Sequence, residues 1–355
     1  MSSLRKSTTL ALAAVFVIFM SVASYAAPTY KVQTFALGTS LGTTQPDSVS
    51  VGDGSIWVSY QNGSDSTGLF GKSTVVRYSL SGTVQTTWSI AGNVDGLRID
   101  PSGMVWALQN NDGNSTLTII NPTTNATQLY TYDSSYSNVA NRGFDDAAFT
   151  KGSTFLSETN PTRPSDPIVV NLTSGLNQPL HVSGILNSQF TGLNVVTHQM
   201  VSDTIMDSDS LVLTPKGDLA LTGEADQQIV WIHNPGSVNQ SESFIQIVNN
   251  TGKLDDTAYI TTRSGYFLMT DTGANIVYKI NASGLTPGSV YVDIGNEFGI
   301  LDLTTGNVTP ILMGVSPHGL EFVPTPEPST LASMLGGLLI CGGEMNRRIR
   351  QLLGK

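Results

Sequence analysis

The sequence predicts an all-β fold of the β-propeller class, and two observations support this. Short alternating or apolar runs are separated by Gly, Pro, Asn and Asp, and no stretch has a convincing helical period. The runs also recur as a unit of roughly 50 residues with room for four strands. Four antiparallel strands per unit, repeated five or six times, are typical of a propeller. A sandwich or a solenoid needs no four-strand unit at this period and ranks well below.

Each repeat opens with an aspartate, which is followed by a strand, a Gly-containing turn and a second strand. The five complete copies begin at Asp47, Asp95, Asp145, Asp209 and Asp256. A truncated sixth copy begins at His318. Third strands are predicted at 75–78, 117–120, 168–170, 229–232 and 276–280, and fourth strands at positions such as 84–90 and 244–248. The long stretch 186–207 is interpreted as a loop between strands.

The number of blades follows from the strands left over. Four predicted strands, at 30–37, 300–303, 308–312 and 319–323, lie outside the five complete units. They can form a sixth blade that is closed by both ends of the chain, which would hide the edges that an open sheet exposes. We therefore predict six blades over residues 27–323, with five or seven as alternatives.

The first 26 residues have three parts in a fixed order. Arg5 and Lys6 form a basic start, residues 10–22 form an apolar run, and Ser24-Tyr25-Ala26 is a small-x-small cleavage site. This order is typical of a secretory signal peptide and not of a membrane span. The prediction is a signal peptide at 1–26 and export through the Sec machinery.

The last residues also have three parts. Pro326, Glu327 and Pro328 precede an apolar run at 331–343, and three arginines, Arg347, Arg348 and Arg350, follow it. The run is shorter than the ~20 residues of an ordinary membrane helix, and the arginines would hold its end on the cytoplasmic face.

This tripartite tail, at 324–355, resembles the PEP-CTERM sorting signal of Gram-negative bacteria that make exopolysaccharide. The resemblance implies a short transmembrane sorting helix and cleavage by the membrane protease exosortase. It also implies a transient membrane anchor and a final place at the cell surface or in the extracellular matrix.

The charge of the chain excludes one class of partner. Of 17 basic and 27 acidic residues, removal of residues 1–26 and of the residues after Pro328 takes away six basic and one acidic, which leaves 11 basic and 26 acidic residues and a net charge of −15. Such a surface repels nucleic acid, so no nucleic-acid partner is expected. The single cysteine, Cys341, lies in the sorting segment, so the mature domain has no disulfide.

The repeat-opening residues are predicted to meet at one mouth of the propeller channel. Converging carboxylates are costly unless protons, water or a metal offset their repulsion. All-oxygen ligands suit Ca²⁺, so Asp47, Asp95, Asp145, Asp209 and Asp256 form a candidate metal ring, although no cofactor is required. The alternative is structural, since aspartates at strand starts also bind backbone N–H groups and lock neighbouring blades together.

Two stretches carry a resemblance to known propellers. Residues 95–108 read Asp-Gly-Leu-Arg-Ile-Asp-Pro-Ser-Gly-Met-Val-Trp-Ala-Leu, and residues 316–320 read Ser-Pro-His-Gly-Leu. They resemble the NHL-repeat and virginiamycin B lyase-like group and the gluconolactonase-like group. The lyase resemblance implies a histidine as general acid–base near the channel, which makes His318 the candidate catalytic residue. The gluconolactonase resemblance implies metal on a mixed Glu/Asn/Asp set, from which a uniform aspartate ring departs.

These observations lead to one main functional hypothesis. It is a non-catalytic exported propeller that binds a partner, such as exopolysaccharide or a surface protein. The first alternative is a metal-dependent hydrolase or lyase at the channel mouth, and the second is a structural component of the matrix.

Overall fold

A computed structural model describes residues 27–136, 139–250 and 252–325. This part of the chain contains 26 strands and one short 3₁₀ helix, Gly38–Leu41. The strands form six sheets, and the innermost strands of neighbouring sheets contact one another in a closed circle. The fold is thus an all-β propeller of six blades, as predicted.

The first three blades each use four consecutive strands. Blade 1 comprises β2 (Pro46–Gly52), β3 (Ser55–Tyr60), β4 (Lys72–Ser79) and β5 (Val84–Ala91). Blade 2 comprises β6 (Val94–Ile99), β7 (Val105–Gln109), β8 (Thr116–Ile120) and β9 (Thr127–Thr131). Blade 3 comprises β10 (Phe144–Thr150), β11 (Ser153–Glu158), β12 (Pro167–Leu172) and β13 (Val182–Asn187). In each, the first strand lies innermost.

Blade 4 has six strands because a hairpin is added to its outer edge. Its inner four strands are β16 (Ser208–Leu213), β17 (Leu219–Gly223), β18 (Gln228–His233) and β19 (Ser241–Gln246). The hairpin consists of β14 (Gln189–Asn194) and β15 (Gln199–Thr204), and β14 pairs parallel with β19. The sequence interpretation of 186–207 as a loop was wrong. The period-2 pattern there is weak, since the outward side chains of β15 are mostly polar and exposed.

Blade 6 is closed by both ends of the described chain. From the channel outwards it contains β26 (Pro317–Pro324), β21 (Ser264–Asp271), β22 (Ile276–Ser283) and β1 (Thr29–Leu37). All its neighbouring pairs are antiparallel. The predicted closure by the two chain ends is confirmed, because β1 and β26 cover the two edges that the β21–β22 hairpin would otherwise expose.

Blade 5 differs from the sequence prediction in its strands. It contains β20 (Leu254–Tyr259), β23 (Val290–Ile294), β24 (Glu297–Leu301) and β25 (Val308–Met313). The β21–β22 hairpin, which follows β20 in sequence, therefore belongs to blade 6. The predicted strands at 300–303 and 308–312 belong to blade 5 and not to blade 6.

Gly265 explains the error. The sequence pattern marks it as a turn glycine, yet it lies inside β21. A Cβ at this position would lie 2.5 Å from the carbonyl oxygen of Val323 in β26. The glycine permits β21 to approach β26 closely, and no tight turn joins β20 to β21.

The core is divided among the six junctions between blades. Each buried apolar cluster draws residues from two neighbouring blades, such as the cluster of Trp57 and Trp88 from blade 1 with Val105 from blade 2. The two indole rings are stacked with centroids 5.1 Å apart. Each blade therefore stabilises the next, and a large truncation at one junction costs ~3–5 kcal/mol.

The terminal predictions lie outside the described residues. These are the signal peptide at 1–26, the processing residues Pro326, Glu327 and Pro328, and the arginines Arg347, Arg348 and Arg350. Within 27–136, 139–250 and 252–325, no helix is long and apolar enough to span a membrane.

Candidate functional site

Every inner strand opens with a β-bulge at the same place. In each blade two inner-strand residues lie opposite one residue of the second strand, so one backbone N–H has no partner in the ladder. A polar side chain in the second strand accepts this N–H in several blades. Ser59 accepts from Ser48 N at 3.0 Å, Ser157 from Asp146 N at 2.9 Å and Thr270 from Gly319 N at 2.6 Å.

Neighbouring bulges are also tied to each other. The Thr222 hydroxyl of blade 4 donates to the Asp255 carbonyl of blade 5 at 2.8 Å, and Thr270 of blade 6 donates to the Asp47 carbonyl of blade 1. At Gly96 a Cβ would lie 1.8 Å from the Asp145 carbonyl oxygen, so the blades could not approach with any larger residue. The circle of inner strands is thus held at its opening residues.

The first bulge residue of each blade forms a ring, and we call these six the ring residues. They are Asp47, Asp95, Asp145, Asp209, Asp255 and His318. For blade 5 the repeat pattern predicts Asp256 as the ring residue, whereas the structure places Asp255 there. The two aspartates are adjacent, so the sequence alone permits either of them. The pairs Leu254–Ile294 and Thr257–Val292 decide it by placing Asp255 in the first bulge position.

The ring lines a cavity of about 340 Å³ at the channel mouth. The structure brings together all six residues predicted from the repeat, Asp256 included. It adds the acidic residues Asp112, Asp207 and Glu224 at the rim. The His318 ring nitrogen Nδ1 lies 3.4 Å from Asp255 Oδ1 and 3.5 Å from Asp47 Oδ1, between its two neighbours in the circle.

Burial makes ionisation of the ring unfavourable. It raises the pKa values of Asp47, Asp145, Asp209 and Asp255 well above the usual range, and repulsion between neighbouring carboxylates raises them further. Asp95 contributes to the shifts of both Asp47 and Asp145. Burial and mutual repulsion therefore favour the protonated form of these four carboxyls, whereas a bound cation would favour their ionised form.

The floor of the mouth is a buried ion network centred on Arg98. Its guanidinium lies 2.5 Å from Asp146 Oδ2 and 3.8 Å from Asp256 Oδ2, so one cation joins blades 2, 3 and 5. Burial alone would lower the pKa of Arg98, but Asp146 and Asp256 raise it above its usual value. Glu321 lies below, and burial raises its pKa to about 7 despite Arg98. Asp256 thus belongs to the floor and accepts hydrogen bonds from Ser210 Oγ and Leu320 N.

A second ion pair occupies the rim. Lys253 Nζ lies 2.8 Å from Glu224 Oε1. Burial and a hydrogen bond with Glu224 raise the pKa of Asp207 to about 6. Lys253 is thus engaged with the rim carboxylates and Arg98 with the floor, so among the described residues His318 is the basic side chain that contacts the ring.

The ring partly fits a hard cation. Its carboxylate oxygens are the donors that Ca²⁺ prefers, and Asp145 Oδ1 is buried without a hydrogen-bond partner. Across the described part of the chain, however, no three His, Cys, Asp or Glu side chains already stand in metal-ligating geometry. The donor chemistry suits the ion, while the carboxylates would have to draw together to ligate it.

Sequence reasoning missed the residues that hold the ring in place. Ser59, Ser157, Thr222 and Thr270 are hydroxyl residues that stand next to the last residue of their second strands and directly follow an apolar run. That repeated hydroxyl could have indicated a backbone irregularity opposite it. Arg98 and Asp146 gave no comparable signal, because their pairing joins different blades.

No protein-family model and no curated protein matches the sequence. Among solved structures, the chain is similar to virginiamycin B lyase from Staphylococcus aureus, with a TM-score of 0.50, 13% identity, and coverage of 82% of this chain and 92% of that one. A putative gluconolactonase matches with a TM-score of 0.49, 12% identity and coverage of 82% and 84%. The periplasmic gluconolactonase PpgL of Pseudomonas aeruginosa matches with a TM-score of 0.46, 12% identity and coverage of 79% and 89%. At such identity the likeness is one of fold.

Replacing Arg98 tests the floor network. Arg98→Met leaves the buried Asp146 and Asp256 without their cation, so the free energy of unfolding should fall by ~3–5 kcal/mol in urea denaturation. The control is Arg163→Met, because Arg163 is largely exposed and its pair with Asp166 should contribute ~1 kcal/mol or less. Equal losses in the two variants would contradict the assigned role of Arg98.

Proposed function

We propose that the protein is exported and that its channel mouth is a non-catalytic site that binds Ca²⁺ and, through it, a partner. The observation that carries this is the ring of five aspartates, of which Asp47 and Asp145 are buried, with His318 as the basic side chain that contacts the ring among the described residues. A divalent cation would replace the shared protons. Asp145, with its neighbours Asp95 and Asp209, would hold the ion.

The bound ion would also explain how so acidic a protein can bind a partner that is itself negatively charged. The mature domain carries a net charge of −15, which repels an anionic polysaccharide. A cation in the mouth presents positive charge at one place, where carboxylate or sulfate groups of an exopolysaccharide could complete its coordination. A surface protein with acidic side chains is the alternative partner of the same chemistry.

Export follows from the two terminal segments. The signal peptide at 1–26 would direct the chain to the Sec machinery. The tail at 324–355 would anchor it transiently in the membrane until exosortase cleaves near Pro326-Glu327-Pro328. The processed domain would then reach the cell surface or the matrix.

A metal-dependent hydrolase or lyase at the same mouth is the second candidate function. It is favoured by His318, whose Nδ1 faces two carboxylates while the ring borders an open cavity. Such a histidine could move a proton during the opening of a lactone or during a lyase reaction.

Calcium binding has a predicted pH signature. A carboxyl whose pKa is raised in the folded state holds extra protons, so its contribution to stability is present below the unfolded pKa of ~4 and is lost as the pH rises through the folded pKa. Without a divalent cation, the melting temperature should therefore fall from pH 5 to pH 8. Calcium at 100 times its Kd should restore ~2.7 kcal/mol at pH 8.

Two variants make this thermal-shift measurement specific. Asp145→Asn should weaken calcium binding at least about tenfold, because the site loses one charged ligand. Asp53→Asn removes the same charge from an exposed turn and should leave binding unchanged. If neither calcium nor EDTA changes the melting temperature of the wild-type protein at pH 8, the calcium site is ruled out.

The export proposal predicts a change of location. In the native bacterium, replacing Pro326 and Pro328 together by alanine should leave an uncleaved, heavier protein in the membrane fraction, as seen by immunoblotting. Pro324→Ala, two residues earlier in β26, should be processed normally. Normal release of the double variant would show that these prolines are not the processing motif.

The enzyme alternative is tested with gluconolactone as a probe. If it holds, the purified protein should hydrolyse the lactone, and His318→Ala should lower the rate by about 100-fold. His181→Ala, an exposed histidine paired with Asp133, should have no effect. Equal rates in the wild type and the His318 variant would exclude His318 as a catalytic residue.

A further inference from the structure

A second cavity lies between blades 4 and 5. It has a volume of about 450 Å³ and shares no lining residue with the channel mouth. Its lining is mostly apolar and includes Val195, Trp231, Tyr259, Ile260, Val290 and Leu303. The polar residues in the same lining include Asp218, His233 and Ser243.

Strand register brings these three side chains to one face of blade 4. The pair Leu219–Ile232 places Asp218, at the start of β17, beside His233 at the end of β18. His233 pairs with Ser241 of β19, and Ser243 lies two residues further along, on the same side as Ser241. The turn at 214–217 ends directly before Asp218 and directs the chain into β17.

The three side chains form a continuous hydrogen-bonded relay. Asp218 Oδ2 lies 3.1 Å from His233 Nδ1, and His233 Nε2 lies 2.8 Å from Ser243 Oγ. The carboxylate fixes the proton on Nδ1, so Nε2 is the acceptor for the serine hydroxyl. Ser243 is 7% exposed, which shields it from bulk water while it borders the cavity.

We infer that Asp218, His233 and Ser243 form a serine-hydrolase relay that acts on small esters with an apolar acyl group. The order nucleophile, base and orienting acid, with both hydrogen bonds within reach, is the geometry that activates a serine in unrelated folds. The sequence contains none of the motifs that usually accompany it, so register alone reveals the arrangement.

The chemistry of the relay balances with water as the second substrate. Ser243 Oγ attacks the ester carbonyl carbon while His233 Nε2 takes the hydroxyl proton, and the carbonyl π electrons move to oxygen. Collapse of this oxyanion breaks the bond to the alcohol oxygen, which leaves with the proton from His233. Water then attacks the acyl-serine in the same way and releases the carboxylic acid.

Two further groups suit these steps. Asp218 stabilises the imidazolium that forms on His233 in each half of the reaction. Lys216 brings an ammonium group to the cavity lining, which would stabilise the developing oxyanion. The apolar walls, with Trp231 and Tyr259, would take the acyl chain, and the cavity volume limits it to a short one.

The test combines covalent labelling with turnover. The purified protein is treated with an alkyl fluorophosphonate, and the adduct is located by peptide mass spectrometry; hydrolysis of p-nitrophenyl butyrate is measured in parallel. The expected adduct is on Ser243. Ser243→Ala should lose the adduct and lower turnover at least about 100-fold, and Asp218→Asn should slow both labelling and turnover at least about 100-fold.

Controls separate the relay from folding and from nonspecific labelling. Ser241, two residues before Ser243 in β19, is exposed, so Ser241→Ala should leave the labelling of Ser243 unchanged. Asp53→Asn, in an exposed turn of blade 1, should also leave this labelling unchanged. Melting temperatures show whether each variant is folded. An unmodified Ser243 in the wild type, or equal turnover in the wild type and Ser243→Ala, would overturn the inference.

Discussion

A single buried guanidinium permits the acidic inner strands of this propeller to converge. Arg98 lies on the floor of the channel mouth and contacts Asp146 and Asp256 from two other blades. Without it, these carboxylates would meet in a medium of low dielectric constant with no cation to offset them. Among the described residues, the ring above has His318 as its basic contact. The floor carboxylates are therefore paired with a cation within the protein, while the ring keeps carboxyl groups that a cationic ligand can use.

The bulges connect backbone geometry to this chemistry. An extra residue at the start of each inner strand turns one side chain into the mouth. Buried hydroxyls bind the backbone groups that the bulge frees: Thr222 donates to the Ser210 carbonyl, and Thr270 accepts from Gly319 N. Because the same hydroxyls reach the neighbouring blade, the position of each ring residue depends on the closure of the whole circle. A propeller with one misplaced blade would lose the site together with its stability.

The local sequence pattern predicts more of the fold than of the candidate site. The repeat of Asp, strand, Gly turn and strand predicted six blades, closure by both chain ends and five of the six ring residues, since each depends on nearby sequence. The sequence could not show that the β21–β22 hairpin belongs to blade 6. A glycine such as Gly265 is equally expected in a tight turn and where two strands approach closely, so its presence does not distinguish the two. The sequence places Asp256 in the ring, one residue after the correct Asp255, because only the pairing register of the strands distinguishes the two neighbouring aspartates. Asp218, His233 and Ser243 are isolated in sequence and meet only through cross-strand pairing.

The direction of β26 has a consequence for how the protein would stand at a membrane. This innermost strand begins beside His318 at the acidic mouth and ends at Pro324, at the far end of the channel. Eight residues of extended chain span roughly 26 Å, about the depth of a blade. A domain tethered through the residues that follow would turn its mouth away from the lipid surface. The acidic ring would then face the outside medium, away from the anionic headgroups that would repel it. In this orientation, ions and polymers from the medium could reach the channel mouth.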